Sequence, residues 1–305
     1  MSAEVPPRAS RADPLAEATA LRLPPWARKG SPLAPGARGV RVLLRESSLN
    51  TVCEEARCPN LGECFSRGTA TFMLLGDRCT RRCGYCSVET AKPLPPDLGE
   101  PERVARAALR LGLRYVVLTS VNRDDLPDGG AAHFAASVAA VRRALPQAGI
   151  EVLTPDFKGD RGALGTVLAA EPTVFNHNIE TVPRLFGRLR PQGRYRLSLD
   201  VLEAARAIRP GVATKSGLML GLGETDAEVL TVLHDLRASG VAIVTLGQYL
   251  RPSRDHEPVH RYLPPEAFAR LEQEALKLGF PTVYAGVFVR SSYNASEVFH
   301  SGSAR

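Results

Sequence analysis

Short apolar runs alternate with longer segments of helical periodicity along most of this 305-residue chain. Runs that are apolar on both faces predict buried strands. They lie at residues 71–76, 115–119, 150–153, 173–176, 215–220 and 243–246, with a last short run at 282–284. Helical periodicity is found at residues 101–111, 131–145, 161–170, 182–189, 195–208, 227–239 and 265–278. Strands that alternate with helices in this way indicate β-α-β units with parallel strands.

About six such units fit into the chain, fewer than the eight of a closed TIM barrel. The periodicity alone leaves a doubly wound sheet and a partial barrel open. Polar residues cluster directly after the predicted strands, at residues 120–125, 154–156, 176–180 and 247–249. Because α/β folds bind ligands at this edge of the sheet, we expect the functional site there.

The two ends of the chain differ from the repeating part. Residues 1–22 are rich in Pro, Ala and Arg and have no apolar signal core, so we expect a disordered leader. A short helix is expected at residues 42–49, and loop structure for the cysteine-rich stretch that follows. No apolar run approaches the roughly 18 residues of a membrane span. The cytoplasm is therefore the expected compartment, and no membrane partner is expected.

The chain carries a formal net charge of +7. A compositional preference for Arg and attraction to an acidic partner explain this excess equally well. Nucleic acid is not an expected partner, because aromatic residues make up only 6% of the chain and are not interleaved with the basic ones.

All six cysteines lie in two triplets, Cys53-x4-Cys58-x5-Cys64 and Cys79-x3-Cys83-x2-Cys86. Disulfides are not expected without a signal peptide. Three thiolates on the short second loop suit three irons of a four-iron cluster and leave one iron open. Zinc prefers four ligands at paired spacings, which this loop lacks.

The second triplet resembles that of the radical S-adenosylmethionine (radical SAM) superfamily. In that superfamily SAM binds the open iron, and one electron from the cluster releases a 5′-deoxyadenosyl radical. The Gly-rich sequence at 217–224 also resembles a motif of the adenine pocket, although a tight turn is the simpler alternative. With the polar strand ends, these resemblances predict SAM contacts at Tyr85, Ser120, Asn178, Glu180, Gly217, Gly221 and Glu224.

The first triplet indicates one family within this superfamily. Cys58-Pro-Asn-Leu-Gly-Glu-Cys64 is similar to the lipoyl synthase family, and the similarity runs through most of the chain. It includes residues 70–77, 119–130, 151–159, 174–183, 214–224, 245–250 and the Arg-Ser-Ser-Tyr motif at 290–293. Asn122 and Asn294 depart from the family pattern, which often has Asp and His there. We expect neither to touch a cluster ligand, and they leave open a paralogue with another carrier preference.

The resemblance implies an α/β fold, a partial (β/α)6 TIM-type barrel at residues 69–286. An N-terminal lobe at 23–68 and a C-terminal tail at 287–305 extend it. It implies that two sulfur atoms are inserted at the sixth and eighth carbons of a protein-bound octanoyl-lysine. The carrier would be a lipoyl domain of a 2-oxoacid dehydrogenase or the glycine-cleavage carrier. An electron donor and an iron–sulfur cluster carrier are further implied partners.

Two 4Fe-4S clusters and SAM are the implied cofactors. Cys79, Cys83 and Cys86 would hold the radical SAM cluster. Cys53, Cys58 and Cys64 would hold an auxiliary cluster that is consumed as the sulfur source, with Ser292 as its fourth ligand. A hydroxyl is a weaker acid than a thiol by about seven pKa units, so we hypothesise that Ser292 is the ligand that is released.

Several alternatives remain open at this stage. Other radical SAM sulfur-inserting enzymes, biotin synthase-like or methylthiotransferase-like, are one. A non-enzymatic iron–sulfur electron carrier is another. The polar residues Arg123, Asp124, Asn176 and His177 either contact ligands or tie loops together. Arg57 meets the carrier or is simply solvated.

Overall fold

The computed structural model describes residues 21–29, 37–67 and 70–292. Its helices are α1 (Ala37–Glu46), α2 (Val52–Glu55), α3 (Leu61–Ser66), α4 (Glu100–Arg110), α5 (Ala131–Ala144), α6 (Arg161–Ala169), α7 (Pro183–Leu189), α8 (Tyr195–Ile208), α9 (Asp226–Ala238) and α10 (Pro265–Lys277). Its strands are β1 (Asn50–Thr51), β2 (Thr71–Leu74), β3 (Arg78–Cys79), β4 (Glu89–Thr90), β5 (Tyr115–Ser120), β6 (Gly149–Leu153), β7 (Val174–Asn176), β8 (Ala213–Leu220), β9 (Ile243–Gln248) and β10 (Thr282–Gly286). Within these ranges no helix combines the length and apolarity needed to cross a membrane.

The main sheet has the strand order β1-β2-β5-β6-β7-β8-β9-β10. From β2 to β10 every neighbouring pair is parallel, and β1 adds an antiparallel edge strand on β2. The order follows the chain without the reversal that a doubly wound sheet requires. Six β-α units therefore precede β10, which confirms the predicted partial (β/α)6 barrel.

The strands place alternate side chains on the helix side and in the barrel lumen. In β5, Val116 and Leu118 belong to the main hydrophobic core, whereas Tyr115 and Val117 form a separate small cluster. In the lumen, the Nζ of Lys215 donates to both carboxylate oxygens of Glu151 at 3.0 and 3.1 Å. The Tyr115 hydroxyl donates to the same carboxylate at 3.1 Å. An ion pair thus lies inside strands whose sequence is largely apolar.

The first cysteine triplet differs from the loop that the sequence predicts. Cys53 lies on α2 and Cys64 on α3, with Cys58 between the two helices. Helix α2 forms locally because the Thr51 hydroxyl accepts a hydrogen bond from the backbone N–H of Glu54 at 3.3 Å. Helix α1 also begins earlier than predicted. In the second triplet Cys79 belongs to the short strand β3, which pairs with β4.

The N-terminal lobe is joined to the chain that follows β10. The Asn60 side chain donates from Nδ2 to the carbonyl of Phe288 at 2.7 Å. The Nζ of Lys29 lies 4.7 Å from the centroid of the Phe288 ring and 2.7 Å from Asn60 Oδ1. Contact between the lobe and the tail is therefore seen at Phe288. The predicted leader, Tyr293 and Asn294 lie outside the described residues, apart from Leu21 and Arg22.

Candidate active site

A cavity of about 1500 Å³ extends from the mouth of the barrel into its lumen. This exceeds the roughly 300–1000 Å³ of an ordinary small-molecule site, so it offers room for more than one bound group. Residues of both triplets and of the strand ends line it. Those that the sequence singled out are Cys53, Cys58, Cys64, Tyr85, Cys86, Asn178, Glu180, Gly217 and Ser292.

Two glycines let the C-terminal segment, residues 287–292, approach the strand ends closely. A Cβ atom on Gly247 would lie 2.1 Å from the carbonyl oxygen of Val289, a distance that no side chain tolerates. A Cβ atom on Gly217 would lie 2.8 Å from the Ser291 hydroxyl. The segment therefore crosses the ends of β8 and β9 in direct backbone contact, and this brings Ser292 to the cavity that the first triplet also lines.

The three thiols of the first triplet lie close to one another. Burial, followed by the neighbouring Cys58, raises the pKa of Cys53 to about 12. The same two causes raise the pKa of Cys64 to about 11, although Lys29 and Arg67 oppose the shift. Without a bound cation these groups are neutral thiols, and metal binding must displace their protons. A set of soft donors with Cys53 buried and Cys58 and Cys64 half-buried fits iron–sulfur or other thiophilic metal chemistry.

The donors do not converge as the ligands of a single metal ion would. Across residues 21–29, 37–67 and 70–292, no group of three or more His, Cys, Asp or Glu side chains is placed to hold one ion. In a four-iron cluster each thiolate binds its own iron, so the thiols need not converge on one point. This arrangement suits a cluster better than the zinc alternative.

The second triplet is anchored by backbone hydrogen bonds from several directions. Cys79 Sγ accepts from the backbone N–H groups of Arg81 at 3.4 Å and Asn122 at 3.3 Å. His256 Nε2 lies 3.0 Å from the carbonyl oxygen of Cys86. Burial raises the pKa of Cys86 to about 12. The expectation that Asn122 touches no predicted cluster ligand is wrong, because its N–H points at the Cys79 sulfur from the loop after β5.

Arg81, inside the second triplet, is a residue that the sequence analysis missed. Its buried guanidinium donates to Asp124 at 2.6 and 2.9 Å and to Asp156 at 2.6 and 2.7 Å. Burial alone would raise the pKa of Asp156, but the hydrogen bonds from Arg81 bring it to about 2. We call Arg81, Asp124 and Asp156 the arginine clamp. The available sequence signal was a basic residue between cysteines and an Asp after each of two successive strands.

Asn178 and Glu180 form a hydrogen-bonded pair at the end of β7. Asn178 Nδ2 donates to Glu180 Oε1 at 3.1 Å, and the carbonyl of Asn178 accepts from Arg190 Nη1 at 3.1 Å. Burial raises the pKa of Glu180, against the lowering effects of Arg190 and Asn178. Burial also raises the pKa of the nearby Tyr85. Arg190, a second residue missed from sequence, is thus a buried cation on the side of the cavity where SAM is predicted.

The remaining predicted SAM contacts lie off the cavity wall. The Ser120 hydroxyl is buried with no hydrogen-bond partner in the part of the chain that the structure describes, so it is an available donor. Glu224 instead accepts from the backbone N–H groups of Gly221 at 2.7 Å and Leu222 at 2.9 Å. This geometry favours the tight-turn alternative for Gly221 and Glu224, while the Gly217 end of the same motif reaches the cavity.

The other polar candidates mostly tie loops together. His177 is buried between the carbonyl of Thr154, at 2.9 Å, and the hydroxyl of Ser198, at 3.1 Å. Arg123 is buried and pairs with Asp125 at 2.8 Å. These contacts favour the structural alternative for both residues. Arg57 is exposed, and its guanidinium lies 3.5 Å from the carbonyl of Pro252.

Comparison with known proteins shows the family to which the chain belongs. The family model described as the Radical SAM superfamily matches residues 73–236. The solved structure of methylornithine synthase aligns with a TM-score of 0.52 at 15% identity, over 81% of this chain and 74% of that one. HydG, a maturase of the FeFe hydrogenase, aligns with a TM-score of 0.55 at 14% identity, over 75% of this chain and 54% of that one. These structures support the barrel fold, and the chain belongs to the radical SAM superfamily.

Curated relatives show which family within the superfamily the chain belongs to. The lipoyl synthase of Rubrobacter xylanophilus is 55% identical over 274 residues, covering 90% of this chain and 85% of the relative. The lipoyl synthase of Thiobacillus denitrificans is 56% identical, covering 90% of this chain and 89% of the relative. That of Thermus thermophilus is 53% identical, covering 92% and 88%. Within the superfamily, the chain belongs to the lipoyl synthase family.

Proposed function

We propose that this chain inserts two sulfur atoms at the sixth and eighth carbons of an octanoyl group carried on a lysine of a carrier protein, which gives lipoyl-lysine. The observation that carries the proposal is the shared cavity. It is lined by the first triplet and Ser292, and also by Cys86, Tyr85 and Glu180. A plain electron carrier does not require a large cavity between its two cysteine sites.

The chain offers one set of ligands for each of two clusters. In the proposal Cys79, Cys83 and Cys86 hold the radical SAM cluster, and Cys53, Cys58, Cys64 and Ser292 hold the auxiliary one. When bound, these cofactors and SAM supply the radical chemistry and the sulfur needed at an unactivated C–H bond, which no side-chain base can deprotonate near neutral pH.

The side chains around these ligands position and shield them. The arginine clamp holds the second triplet against the loops after β5 and β6, and its guanidinium is almost fully buried. Asn178, Glu180 and Arg190 offer donors and acceptors on the SAM side of the cavity. Met219 and Leu250 line the same cavity and provide apolar surface that suits an octanoyl chain. A site enclosed in this way excludes water from reactive species.

The expected partners follow from the substrate. They are octanoylated lipoyl domains or the glycine-cleavage carrier, together with an electron donor and a protein that supplies iron–sulfur clusters. All six cysteines are free. Free thiols are typical of a reducing compartment, which supports the cytoplasm as the proposed location.

The test is anaerobic reconstitution followed by turnover. The chain is incubated with SAM, dithionite and a peptide carrying octanoyl-lysine, and mass spectrometry is expected to show two sulfur atoms gained. Iron analysis is expected to give about eight irons per chain, for two four-iron clusters. A chain that holds about four irons, or that cleaves SAM on two clusters yet leaves the peptide unchanged, would refute this function. The second result would favour another radical SAM sulfur-inserting activity.

A further inference from the structure

The hydroxyl of Ser291, the residue before the proposed ligand Ser292, reaches back to the barrel. It donates to Asn178 Oδ1 at 2.9 Å and so joins two residues that are 113 positions apart in the sequence. Ser291 and Asn178 both line the cavity. The C-terminal segment is therefore bonded through a side chain to the end of β7, immediately beside Ser292.

The partner of Ser291 is itself held in one orientation. Asn178 Nδ2 donates to Glu180 Oε1 at 3.1 Å. Turning the amide over would place Asn178 Oδ1, which can only accept, against that oxygen. Asn178 therefore presents its oxygen to Ser291, and only a donor at position 291 completes the arrangement.

Gly217 provides the space for this contact. A Cβ atom there would lie 2.8 Å from Ser291 Oγ and 2.9 Å from Asn178 Oδ1, too close to both atoms of the hydrogen bond. The absence of a side chain at position 217 therefore leaves room for the C-terminal segment as well as for any ligand in the cavity.

We propose that Ser291 is a positioning residue, which holds Ser292 towards the first triplet through its hydrogen bond to Asn178. The inference rests on the proposed function, because it takes Ser292 as the fourth ligand of the auxiliary cluster. The placement of this ligand is then set from the chain that follows β7, by the Asn178–Glu180 pair. Loss of the Ser291 hydroxyl leaves the segment attached by the backbone contacts at Gly247 and by Asn60, but frees its last residues.

The test compares iron retention in the reconstituted full-length protein. Wild type, Ser291→Ala and Ser291→Thr are loaded with both clusters, reduced, and exposed to a ferrous chelator while iron release is followed. The loss of one hydrogen bond corresponds to a factor of about 2 to 13 in a rate or an equilibrium constant. The half of the iron that the first triplet holds is therefore expected to leave Ser291→Ala faster than wild type by that factor. Ser291→Thr keeps the hydroxyl and is expected to behave as wild type. Gln273→Ala, an exposed amide on α10, is the matched surface control.

Two further measurements separate positioning from general damage. Formation of 5′-deoxyadenosine reports on the second triplet, and in Ser291→Ala it is expected to change by a smaller factor than iron release. In a double-mutant cycle, Asn178→Ala is expected to accelerate iron release no further once Ser291 is Ala, because both changes remove the same bond. Fully additive effects, or release from Ser291→Ala at the wild-type rate, would overturn the inference.

The outcomes also distinguish this inference from the proposed function. A wild-type chain that never holds about eight irons contradicts the proposed function. A wild-type chain that holds them and modifies the octanoyl peptide, while Ser291→Ala releases iron no faster, contradicts only the role of Ser291.

Discussion

The two cysteine triplets are held in place by different parts of the chain. The second triplet is fixed to the barrel itself, through the arginine clamp and the hydrogen bonds to Cys79. The first triplet lies on two short helices outside the barrel and faces a segment from the far end of the chain. The frame of the second site is thus built from the strand ends and loops of the barrel. The frame of the first depends on contacts between chain ends, and we expect it to be the more easily disturbed.

The largest expected effect comes from removing one thiol in each triplet. Cys86→Ala should abolish formation of 5′-deoxyadenosine, because the second triplet then holds only two iron ligands. Cys58→Ala should retain it and lose sulfur insertion into the octanoyl peptide. Liquid chromatography and mass spectrometry measure both products in one reaction. If Cys58→Ala abolishes both products, the second site does not function independently of the first.

Replacing Arg81 should damage the second site selectively. Arg81→Ala leaves Asp124 and Asp156 without their buried partner, and breaking such a pair costs about 3–5 kcal/mol of unfolding free energy. Thermal unfolding of the cluster-free chain measures this loss. Arg196→Ala, which removes two exposed ion pairs of α8, with Asp200 and Glu203, is the control and should change stability by less than about 1 kcal/mol. Equal effects of the two changes would contradict a structural role for the clamp.

Mildly acidic pH should lower the stability of the frame of the second site because of His177, which lies beside Asp156. Burial, with Arg190 and Arg81 adding to it and Asp156 opposing it, lowers the pKa of His177 to about 4. The unfolded chain therefore takes up this proton first as pH falls. The stabilising contribution is complete above about pH 6.5 and is lost between there and about pH 4. It amounts to at most about 3 kcal/mol.

The measurement is the free energy of unfolding of wild type and His177→Gln between pH 7.5 and pH 4.5. Wild type should lose more stability across this range than the variant, whose side chain does not titrate. Parallel pH profiles for the two proteins would show that His177 is not the group responsible.

Replacing Ser292 tests the expected lability of the first site. Ser292→Cys substitutes a much stronger acid, whose thiolate is harder to protonate and release. Iron should be retained longer and sulfur insertion should slow, while 5′-deoxyadenosine formation is unchanged. Sulfur insertion at the wild-type rate would mean that release of this residue is not needed.

The smallest expected effect is at the junction of lobe and tail. Asn60→Ala removes the donor to the partly buried Phe288 carbonyl, and the loss of such a hydrogen bond costs about 0.5–1.5 kcal/mol. Iron release should accelerate from the first triplet and not from the second. Mössbauer spectra of protein labelled at one site report this difference. Equal release from both sites would show that the junction does not serve the first triplet in particular.

Much of this architecture follows from local sequence. Continuous apolar runs and helical periodicity predict the strands and helices within a few residues, and α8 agrees at both ends. Cysteine spacing predicts the two sites. The arginine clamp was not predictable in the same way, because its partners are 43 and 75 residues from Arg81.

The lumen ion pair and the first triplet show two other limits. Lys215 and Glu151 lie in separate strands, 64 residues apart, and become partners only when the sheet curls. Helices α2 and α3 are too short for periodicity to reveal. Helix α2 is capped by Thr51, whereas α3 has no side-chain cap and buries Leu61 and Phe65, so both depend on local contacts and packing rather than on propensity. Features fixed by tertiary contacts therefore needed the structure.

The contact between Asn60 and Phe288 can form only after most of the chain has been synthesised. These residues are 228 positions apart, and chains grow at about 5–20 residues per second, so roughly 10–50 s pass between them. The clamp partners of the second triplet are made much sooner after it. During translation the first three thiols are therefore made long before the segment that carries Ser292, their proposed fourth ligand, and before the barrel is complete.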